Sequence, residues 1–392
     1  MAEFLDLIES VEAENASIHK LFGGDDKLGK GTSVRQASAS RQRDPKYQAL
    51  LAEAVKLTKD VFTGRKPIAR LKEALSTSDF PLLFADTIDR MMLAQYRLHP
   101  SVYARFLKTS TVPDFRSVKR FKTSDGDQRL QQVPQGGSYP GGDIDEASYS
   151  FSVKKYGRRF DLLWEALMND DLDALKDTPK RMARAAQRTE DHFAASLWVA
   201  NATLFNATHA VSGTNYSNKL TGVLSLTNLK TGWNTMAGYP DEANSDMVTE
   251  PIFNQPVQLV IGRKLELAAK EIVGQIQYIT ANETNVLRGV LEVVVEPYIE
   301  IIDATNGGTS WYLFADKDSG HAAEVAKLRG YEEPQMFMKS PDAIRLGGGN
   351  ADPIQGDFGT DNVAYKVRHV VGGSHANATG GWRFALWSDG TV

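Results

Sequence analysis

A run of carboxylates between residues 165 and 173 is the part of the sequence best suited to acid–base chemistry or to binding a divalent cation. Its members are Glu165, Asp170, Asp171 and Asp173. Neighbouring carboxyl groups can exchange protons with a substrate, and their oxygens are the ligands that Ca²⁺ prefers. The run lacks the glycine-turned spacing of a calcium loop, and acidic residues are common near helix ends. We therefore interpret these carboxylates as helix-end and turn residues.

The seven histidines are the other candidates for chemistry, but none stands at a metal-ligand spacing from another histidine or from a carboxylate. His209 is the best candidate for a general base, because the segment FNATHAVSG is rich in small residues that could expose it in a loop. A hydrogen-bonded structural histidine is the competing interpretation. The chain has no cysteine and no Gly-x-Ser-x-Gly motif, which excludes thiol chemistry and argues against a serine hydrolase. We predict that the protein is not an enzyme and needs no cofactor or metal ion.

The composition is that of a globular protein whose charge is uneven only locally. In 392 residues, 45 basic and 49 acidic side chains give a net charge of -4, which argues against nucleic-acid binding by bulk charge. The N-terminus, MAEFLDLIES, is acidic where a signal peptide would be basic, and the longest mostly apolar stretch is too short to span a membrane. We expect synthesis in the cytoplasm and no membrane partner.

The first 75 residues differ in charge from those that follow. An amphipathic helix near residues 4–11 would have an acidic solvent face, whereas Lys and Arg outnumber Asp and Glu between residues 27 and 72. Asp44 and Pro45 are suited to start a second helix, because they match the preferred N-cap and first-turn residues. We predict an arm with two oppositely charged ends, which packs either on its own chain or on a neighbouring subunit.

The segment 148–175, SYSFSVKKYGRRFDLLWEALMNDDLDAL, changes from the spacing of a strand to that of a helix. Tyr149, Phe151 and Val153 repeat at every second position, as on one face of a strand. Four cations follow at the far end of this strand: Lys154, Lys155, Arg158 and Arg159. Beyond them, leucines recur at helical spacing up to the carboxylates. An edge strand joined to a surface helix and a charged contact surface are both open interpretations.

The remaining sequence predicts a mixed α+β fold around one long helix. Residues 112–156 are polar and rich in glycine, which predicts a long two-stranded projection. Thr178 and Pro179 predict the start of a helix that runs to residue 200, with Glu190 and Asp191 on its solvent side. Short strands and helices alternate from 220 to 345, and NVAYKVRHVV and GWRFALW predict two final strands.

The order of these parts resembles the HK97-like major capsid proteins of tailed bacteriophages, of the phage major capsid and Mu-like head-subunit type. The segments that carry the resemblance are SDFPLLFADTIDRMML, VPDFR, VPQGGSYP, YGRRFDLLWEALMNDDL, LFNATHAVSG and NVAYKVRHVVGG. They span roughly residues 76 to 371, and the first 75 residues lie outside the match. The resemblance rests on the order of the segments more than on any single motif.

The resemblance implies a division of the α+β chain into an arm, a loop and two domains. The implied parts are an N-terminal arm (1–75), a core helix region leading into the loop (76–111), an extended loop over an adjacent subunit (112–156), a peripheral domain (157–219) with a spine helix (178–200), an axial domain (220–345) and a return to the peripheral domain (346–392). The axial domains would gather around the rotation axes of a shell.

The resemblance further implies a major capsid protein of the virion, which self-assembles into an icosahedral head shell around double-stranded DNA. Hundreds of copies would associate as hexamers and pentamers in the host cytoplasm, with non-specific contacts to DNA. Scaffolding, portal and decoration proteins are further candidate partners. Opposite charges would pair across subunits where the loop joins the peripheral domain. The candidate contact residues are Arg120, Lys122, Arg129, Lys154, Lys155, Arg158, Arg159, Glu165, Asp170 and Asp171.

Cleavage of the arm and covalent crosslinking between subunits do not follow from the resemblance and are considered separately. We expect an uncleaved arm, because residues 1–75 contain no nucleophile motif. We also expect association without covalent crosslinks, because no partner is identifiable for Lys119 or Lys122. Two alternatives stay open. A cellular nanocompartment shell would enclose enzymes in place of DNA, and a soluble α+β hydrolase would use His209 with nearby carboxylates in a deep pocket.

Overall fold

A computed structural model describes much of the chain beyond the N-terminal arm. The described residues are 92–98, 100–123, 132–137, 146–162, 172–211, 214–240, 255–274, 290–339 and 362–391, with isolated residues 53, 54, 56, 57, 60, 65 and 359. Helices and strands alternate along these residues, so the predicted α+β fold is confirmed. The predicted arm, the helix start at Asp44 and the helical leucines beyond Leu162 lie largely outside the described residues.

Strands outnumber helices among the described elements. The strands are β1 (Lys108–Val112), β2 (Val118–Thr123), β3 (Glu146–Phe151), β4 (Val153–Leu162), β5 (His209–Val211), β6 (Thr214–Tyr216), β7 (Lys219–Leu220), β8 (Pro256–Ile261), β9 (Glu292–Val295), β10 (Trp311–Ala315), β11 (Ala323–Leu328), β12 (Gln335–Met338), β13 (Val363–His375) and β14 (Ala385–Ser388). The α-helices are α1 (Leu172–Ser196), α2 (Leu226–Ala237), α3 (Glu266–Gly274) and α4 (Ile299–Ile302). Single turns of 3-10 helix occupy Val102–Arg105, Arg263–Leu265, Asn377–Thr379 and Gly381–Phe384.

The described residues form two compact units. Unit 1 takes its residues from 1–100, 156–187 and 333–369, and unit 2 from 101–155, 188–332 and 370–392. Helix α1 and strands β4 and β13 have residues in both units.

A five-stranded sheet in the order β7-β14-β10-β8-β9 forms the core of unit 2. Strand β10 is buried along its whole length, which is why WYLFA lacks the alternation of a half-exposed strand. Trp198, just after α1, packs edge-on against Tyr312 and Phe314, with ring centroids 4.8 and 5.2 Å away. Phe106 completes this aromatic group, 4.7 Å from Phe314. Edge-on aromatic pairs add to the free energy that burial of the rings supplies.

Strands β1 and β11 and the last part of β13 are the unit 2 part of a second five-stranded sheet. β1 runs parallel to β11, with Ser110 opposite Ala326, and β11 runs antiparallel to β13. Gly372 of β13 approaches the backbone of residue 152 closely, because a Cβ at this position would collide with the Ser152 carbonyl oxygen. Only glycine permits this approach.

Unit 1 contains the first part of β13, which pairs with β12 and with β4. β4 also approaches β13 through a glycine, since a Cβ on Gly157 would lie 2.7 Å from the Val367 carbonyl oxygen. The buried cluster of this unit joins Met92, Ala183 of α1 and Val367 of β13.

The long helix begins earlier than the sequence predicts. α1 starts at Leu172, so Thr178 and Pro179 lie inside the helix and are not its N-cap and first turn. Proline lacks the N–H that would donate to the carbonyl four residues before it, so one hydrogen bond of the helix is lost. A helix of 25 residues retains the others. The predicted start at residue 178 is therefore wrong.

The end of α1 also differs, because it lies at Ser196 and not at residue 200. Asn201 donates its side-chain N–H to the Leu197 carbonyl at 2.8 Å, which satisfies a group left open beyond the helix end. Ala200 takes a left-handed φ of 48°, a conformation that stops a helix.

The predicted strands are mostly present. NVAYKVRHVV contains the first part of β13, which continues to His375, and β8 and β10 lie in the region 220–345 where short strands are predicted. GWRFALW is only half a strand, because Gly381–Phe384 forms a 3-10 turn after Gly380, whose φ of 76° is left-handed. β14, from the segment predicted to return to the peripheral domain, lies in one sheet with β8, β9 and β10 of the predicted axial domain. The domain boundaries stay predictions.

Replacing Gly372 by Ala is expected to lower the free energy of unfolding by about 2–4 kcal/mol, because the new Cβ would meet backbone atoms. Urea unfolding of unassembled subunits measures this. Gly274→Ala is the control, because among the described residues no atom beyond its own helical turn and chain neighbours lies within 4 Å of a Cβ at this last residue of α3. The control should change stability by less than about 1 kcal/mol. Equal effects of the two substitutions would contradict the close approach at Gly372.

Candidate functional site

Strands β2 and β3 are the described base of the predicted hairpin. Their antiparallel register runs from Val118 opposite Phe151 to Thr123 opposite Glu146. Side chains alternate between the faces of a strand, so residues 118, 120 and 122 share one face, the inner face, with 147, 149 and 151. The outer face carries Lys119 and Phe121, which are exposed.

An apolar cluster joins the inner face to the second sheet of unit 2. Its buried members are Val112, Phe151, Val153, Ala326, Leu328 and Val370. Val118 and Tyr149 are partly buried against it. The alternation at residues 149, 151 and 153 therefore marks side chains that pack on one cluster, although they belong to two strands, because β3 ends at Phe151 and β4 begins at Val153.

Glu324 of β11 lies on the same face of the sheet as Ala326 and is fully buried. Arg120 of β2 donates to its Oε1 from Nε and Nη2, at 3.1 and 2.9 Å. The hydroxyl of Ser110 donates to Oε1, and that of Tyr149 donates to Oε2. One carboxylate thus connects β1, β2 and β3 to β11. We call these four residues the Glu324 anchor.

Two opposing effects set the pKa of Glu324. Burial alone would raise it, because the charged form loses its hydration. Ser110, Tyr149 and Arg120 bind the charged form and together hold the pKa of Glu324 below its usual value. Glu324 is therefore a buried anion at neutral pH, neutralised by the Arg120 guanidinium.

His321 extends the anchor, because its Nε2 lies 3.0 Å from the Tyr149 hydroxyl oxygen. Burial, followed by the charge of Lys108, lowers the pKa of His321 to about 4. Burial and the bond to Glu324 raise the pKa of Tyr149. The imidazole and the phenol are thus both neutral at pH 7. Since Tyr149 donates to Glu324, we assign the Nε2 proton to His321, which donates to the Tyr149 oxygen.

A second buried glutamate, Glu190 of α1, has the same kinds of partner. Lys327 Nζ lies 2.7 Å from its Oε1, Ser101 donates at 3.2 Å, and the Tyr103 hydroxyl also donates. The prediction that Glu190 lies on the solvent side of the helix is wrong. These donors replace water around a fully buried carboxylate.

Asp191 and Glu296 are further acids of the same region. Burial, followed by the charge of Glu190, raises the pKa of Asp191 to about 7. Burial also raises the pKa of Glu296 to about 7, with a contribution from the charge of Asp191. The N–H of Tyr298, which donates to Glu296 at 3.2 Å, offsets only part of this effect. Both carboxyl groups therefore gain or lose their proton near neutral pH, where ordinary carboxyl groups are fully ionised.

The predicted contact residues fall into several groups. Arg129, Glu165, Asp170 and Asp171 lie outside the described residues. Arg120 belongs to the Glu324 anchor of its own chain. Lys122 shares the inner face of the hairpin base and is partly buried.

The predicted cations of β4 form an exposed basic strand. Lys154, Lys155 and Arg158 are exposed, and Arg159 pairs with Asp161 on its own strand at 2.8 Å. These residues lie within β4 and not at its far end, because the strand continues to Leu162. Their pairing across subunits stays a prediction.

His209 has the surroundings of a structural histidine. Its ring stacks on Trp382 with centroids 4.2 Å apart and planes 1° from parallel. Its Nε2 bonds to Asn218 Oδ1 at 2.9 Å, so its bonding partner is an amide and not a carboxylate. Burial lowers the pKa of His209. The interpretation of His209 as a hydrogen-bonded histidine is therefore confirmed.

The burial of Glu324 and Glu190 is not predicted from the sequence. A signal for Glu324 exists, because it is the only acid in HAAEVAKL, whose strand is almost wholly buried. An acid in such a run needs a partner. Spacing could not identify Arg120, which is 204 residues away. Within the described part of the chain, no three or more His, Asp or Glu side chains are grouped so that they could hold a metal ion. None of the helices described there has the length and hydropathy of a membrane span.

Replacing Glu296 by Gln is expected to stabilise the subunit at pH 8 by about 1–3 kcal/mol and to have little effect at pH 5. An acid whose pKa is raised by folding costs stability as pH rises through that pKa, and glutamine cannot ionise. Urea unfolding at both pH values measures the difference. Glu292→Gln, at an exposed acid paired with Arg105, is the control. A gain that is equal at both pH values would contradict the assignment.

Comparison with known proteins identifies the family. A sequence model of the phage capsid protein family matches residues 146–384. The chain is also similar to three solved structures with low sequence identity. The capsid of cyanophage P-SCSP1u is 11% identical, with 74% of this chain and 88% of that chain covered and a TM-score of 0.46.

The second solved structure is a phage-related protein from Bordetella bronchiseptica RB50, 15% identical, with 78% and 97% covered and a TM-score of 0.43. The third is the capsid of bacteriophage JBD30, 13% identical, with 51% and 91% covered and a TM-score of 0.43. No curated protein matches the chain in sequence. Because the family match covers more than half of the 392 residues, the chain belongs to the phage capsid protein family and is a major capsid shell protein.

Proposed function

We propose that this shell protein has the HK97-like architecture, and that its copies form hexamers and pentamers that close into an icosahedral head around double-stranded DNA. In this proposal, residues 112–156 lie over an adjacent subunit, residues 157–219 and 346–392 form the peripheral domain, and residues 220–345 form the axial domain. The hairpin base carries the proposal, because its inner face is bound within its own chain while its outer face is exposed.

The outer face has the chemistry of a protein contact. Phe121 is 64% exposed, and it stands opposite Ser148 on a strand that is otherwise polar at this face. A large aromatic side chain in water gains free energy when a partner covers it. In a shell this partner is another copy of the chain, because copies surround every subunit.

The exposed cations of β4 suit an acidic surface. We propose that Lys154, Lys155 and Arg158 pair with carboxylates of a neighbouring copy. Exposed ion pairs of this kind set the rate and register of association more than its affinity. Packaged DNA is the competing acidic partner, and for the basic part of the arm, residues 27–72, it is a candidate for non-specific contact.

The proposed role is structural and requires neither catalysis nor a cofactor. We propose assembly in the host cytoplasm, with scaffolding, portal and decoration proteins as candidate partners. The nanocompartment alternative is not favoured, because the family match is to phage capsid proteins. The hydrolase alternative is not favoured either, because an amide and not a carboxylate holds His209.

Replacing Phe121 by Ser is expected to weaken assembly while the subunit stays folded. An exposed side chain contributes little to folding, whereas an aromatic contact at an interface contributes about 1–3 kcal/mol. The critical concentration for assembly should therefore rise about tenfold, as measured by light scattering of purified subunits. The control Val223→Ser changes a valine that is 44% exposed and should leave the critical concentration unchanged. The proposed contact fails if Phe121→Ser assembles like the control.

Reversing two charges of β4, with Lys154→Glu and Lys155→Glu together, is expected to slow assembly at low salt. The effect should fade as salt rises, because exposed charges are screened beyond about 10 Å at 0.1 M salt. Time-resolved light scattering at several salt concentrations measures the rates. Normal assembly combined with release of DNA at lower salt would show that these cations face DNA and would contradict their role between subunits.

A further inference from the structure

We infer that Glu324 is a positioning residue, which fixes the direction in which the hairpin leaves the subunit and so decides how neighbouring copies fit together. The inference rests on the proposed function, because the direction of the hairpin matters only if the hairpin contacts another copy. It concerns a residue that lies inside the subunit and touches no neighbour itself, since Glu324 is fully buried.

The apolar cluster alone would hold the hairpin base without fixing its angle. A two-stranded hairpin is only marginally stable by itself, so it takes its orientation from the surface on which it packs. Phe151 and Val153 bury apolar area against Ala326 and Leu328. The hydrophobic effect is non-directional, so this contact permits the strands to tilt while they remain covered.

The Glu324 carboxylate fixes the orientation of the hairpin base, because it binds one residue of β2 and one residue of β3 that form a cross-strand pair. Arg120 and Tyr149 stand directly opposite each other in β2 and β3. Arg120 binds Oε1, and Tyr149 binds Oε2. A tilt or a twist of the hairpin lengthens at least one of these charge-assisted hydrogen bonds, which are the strong and directional ones. Ser110 also donates to Oε1, which fixes the carboxylate on the sheet.

The position of Arg120 determines where the outer face points. Phe121 follows Arg120 on β2, and adjacent residues of a strand point to opposite faces. When Arg120 is held on Glu324, Phe121 is presented on the exposed side in one orientation. The buried anchor and the proposed contact are thus two consecutive residues of one strand.

Glu190 provides a matched control for this inference. It is as fully buried as Glu324, and its partners are also a serine, a tyrosine and a cation: Ser101, Tyr103 and Lys327. None of these partners belongs to the hairpin. Glu190→Gln therefore removes an equivalent buried charge from unit 2 without loosening the hairpin.

Distance measurements between spin labels test the inference on the full chain. The protein has no cysteine, so Ser148→Cys on the outer face and Thr227→Cys on α2 introduce the only two thiols. In unassembled subunits with wild-type Glu324, one narrow distance distribution is expected. Glu324→Gln should broaden it and speed amide exchange in β2 and β3 about ten- to a hundredfold. Glu190→Gln should leave the distribution narrow.

Shell formation by the same proteins, without labels, provides the second readout. Glu324→Gln is expected to give particles of mixed size or incomplete closure by mass measurement, whereas Glu190→Gln should give wild-type shells from its folded fraction. Tyr149→Phe keeps the ring in the apolar cluster and removes one bond to Oε2, so it should broaden the distribution less. This variant carries the test if Glu324→Gln does not fold.

Three results would overturn the inference: a distribution that stays narrow in Glu324→Gln and Tyr149→Phe, an equal broadening in Glu190→Gln, or wild-type shells from a subunit whose hairpin is loose. Failure of the proposed function has a different signature. In that case the wild-type chain itself forms no closed shells, and both conclusions fall.

Discussion

The burial of a negative charge is the constraint on which the hairpin base depends. A carboxylate removed from water costs several kcal/mol unless a cation and hydrogen bonds replace its hydration. Glu324 meets this condition only when Arg120, Tyr149 and Ser110 surround it together. Three strands must therefore be in place around β11 before the charge is tolerated. The cost of removing both charges from water offsets most of their attraction, so the network adds little net stability. It does favour one arrangement of the strands, because any other arrangement leaves an uncompensated buried charge.

Unit 2 contains two networks around a buried glutamate, one at Glu324 and one at Glu190. The titratable groups next to the two networks respond to pH in opposite directions. The folding-depressed pKa values of Glu324 and His321 mean that stability is lost as pH falls through them. The raised pKa values of Asp191 and Glu296 mean that stability is lost as pH rises through about 7. The stability of the subunit is therefore limited at low pH by the Glu324 anchor with His321, and at high pH by Asp191 and Glu296.

A shell protein must be rigid where it folds and available where it meets its copies. The aromatic core around Trp198 and the fully buried strand β10 provide the rigid part of unit 2. The outer face with Phe121 and the cations of β4 is the available part. Because the side chains of a strand alternate, β2 serves both purposes within six residues.

The sequence by itself determined the features that depend on local spacing. Alternation at Tyr149, Phe151 and Val153 predicted one face of a strand, and the order of segments indicated the capsid family. Only the tertiary structure decided which acids are buried. Helical spacing predicts an exposed Glu190, but the fold buries this residue and places Lys327 against its carboxylate. Local preference also failed at Pro179, inside α1. Spacing records neighbours along the chain, whereas the cost of a buried charge is met by partners such as Arg120, 204 residues from Glu324.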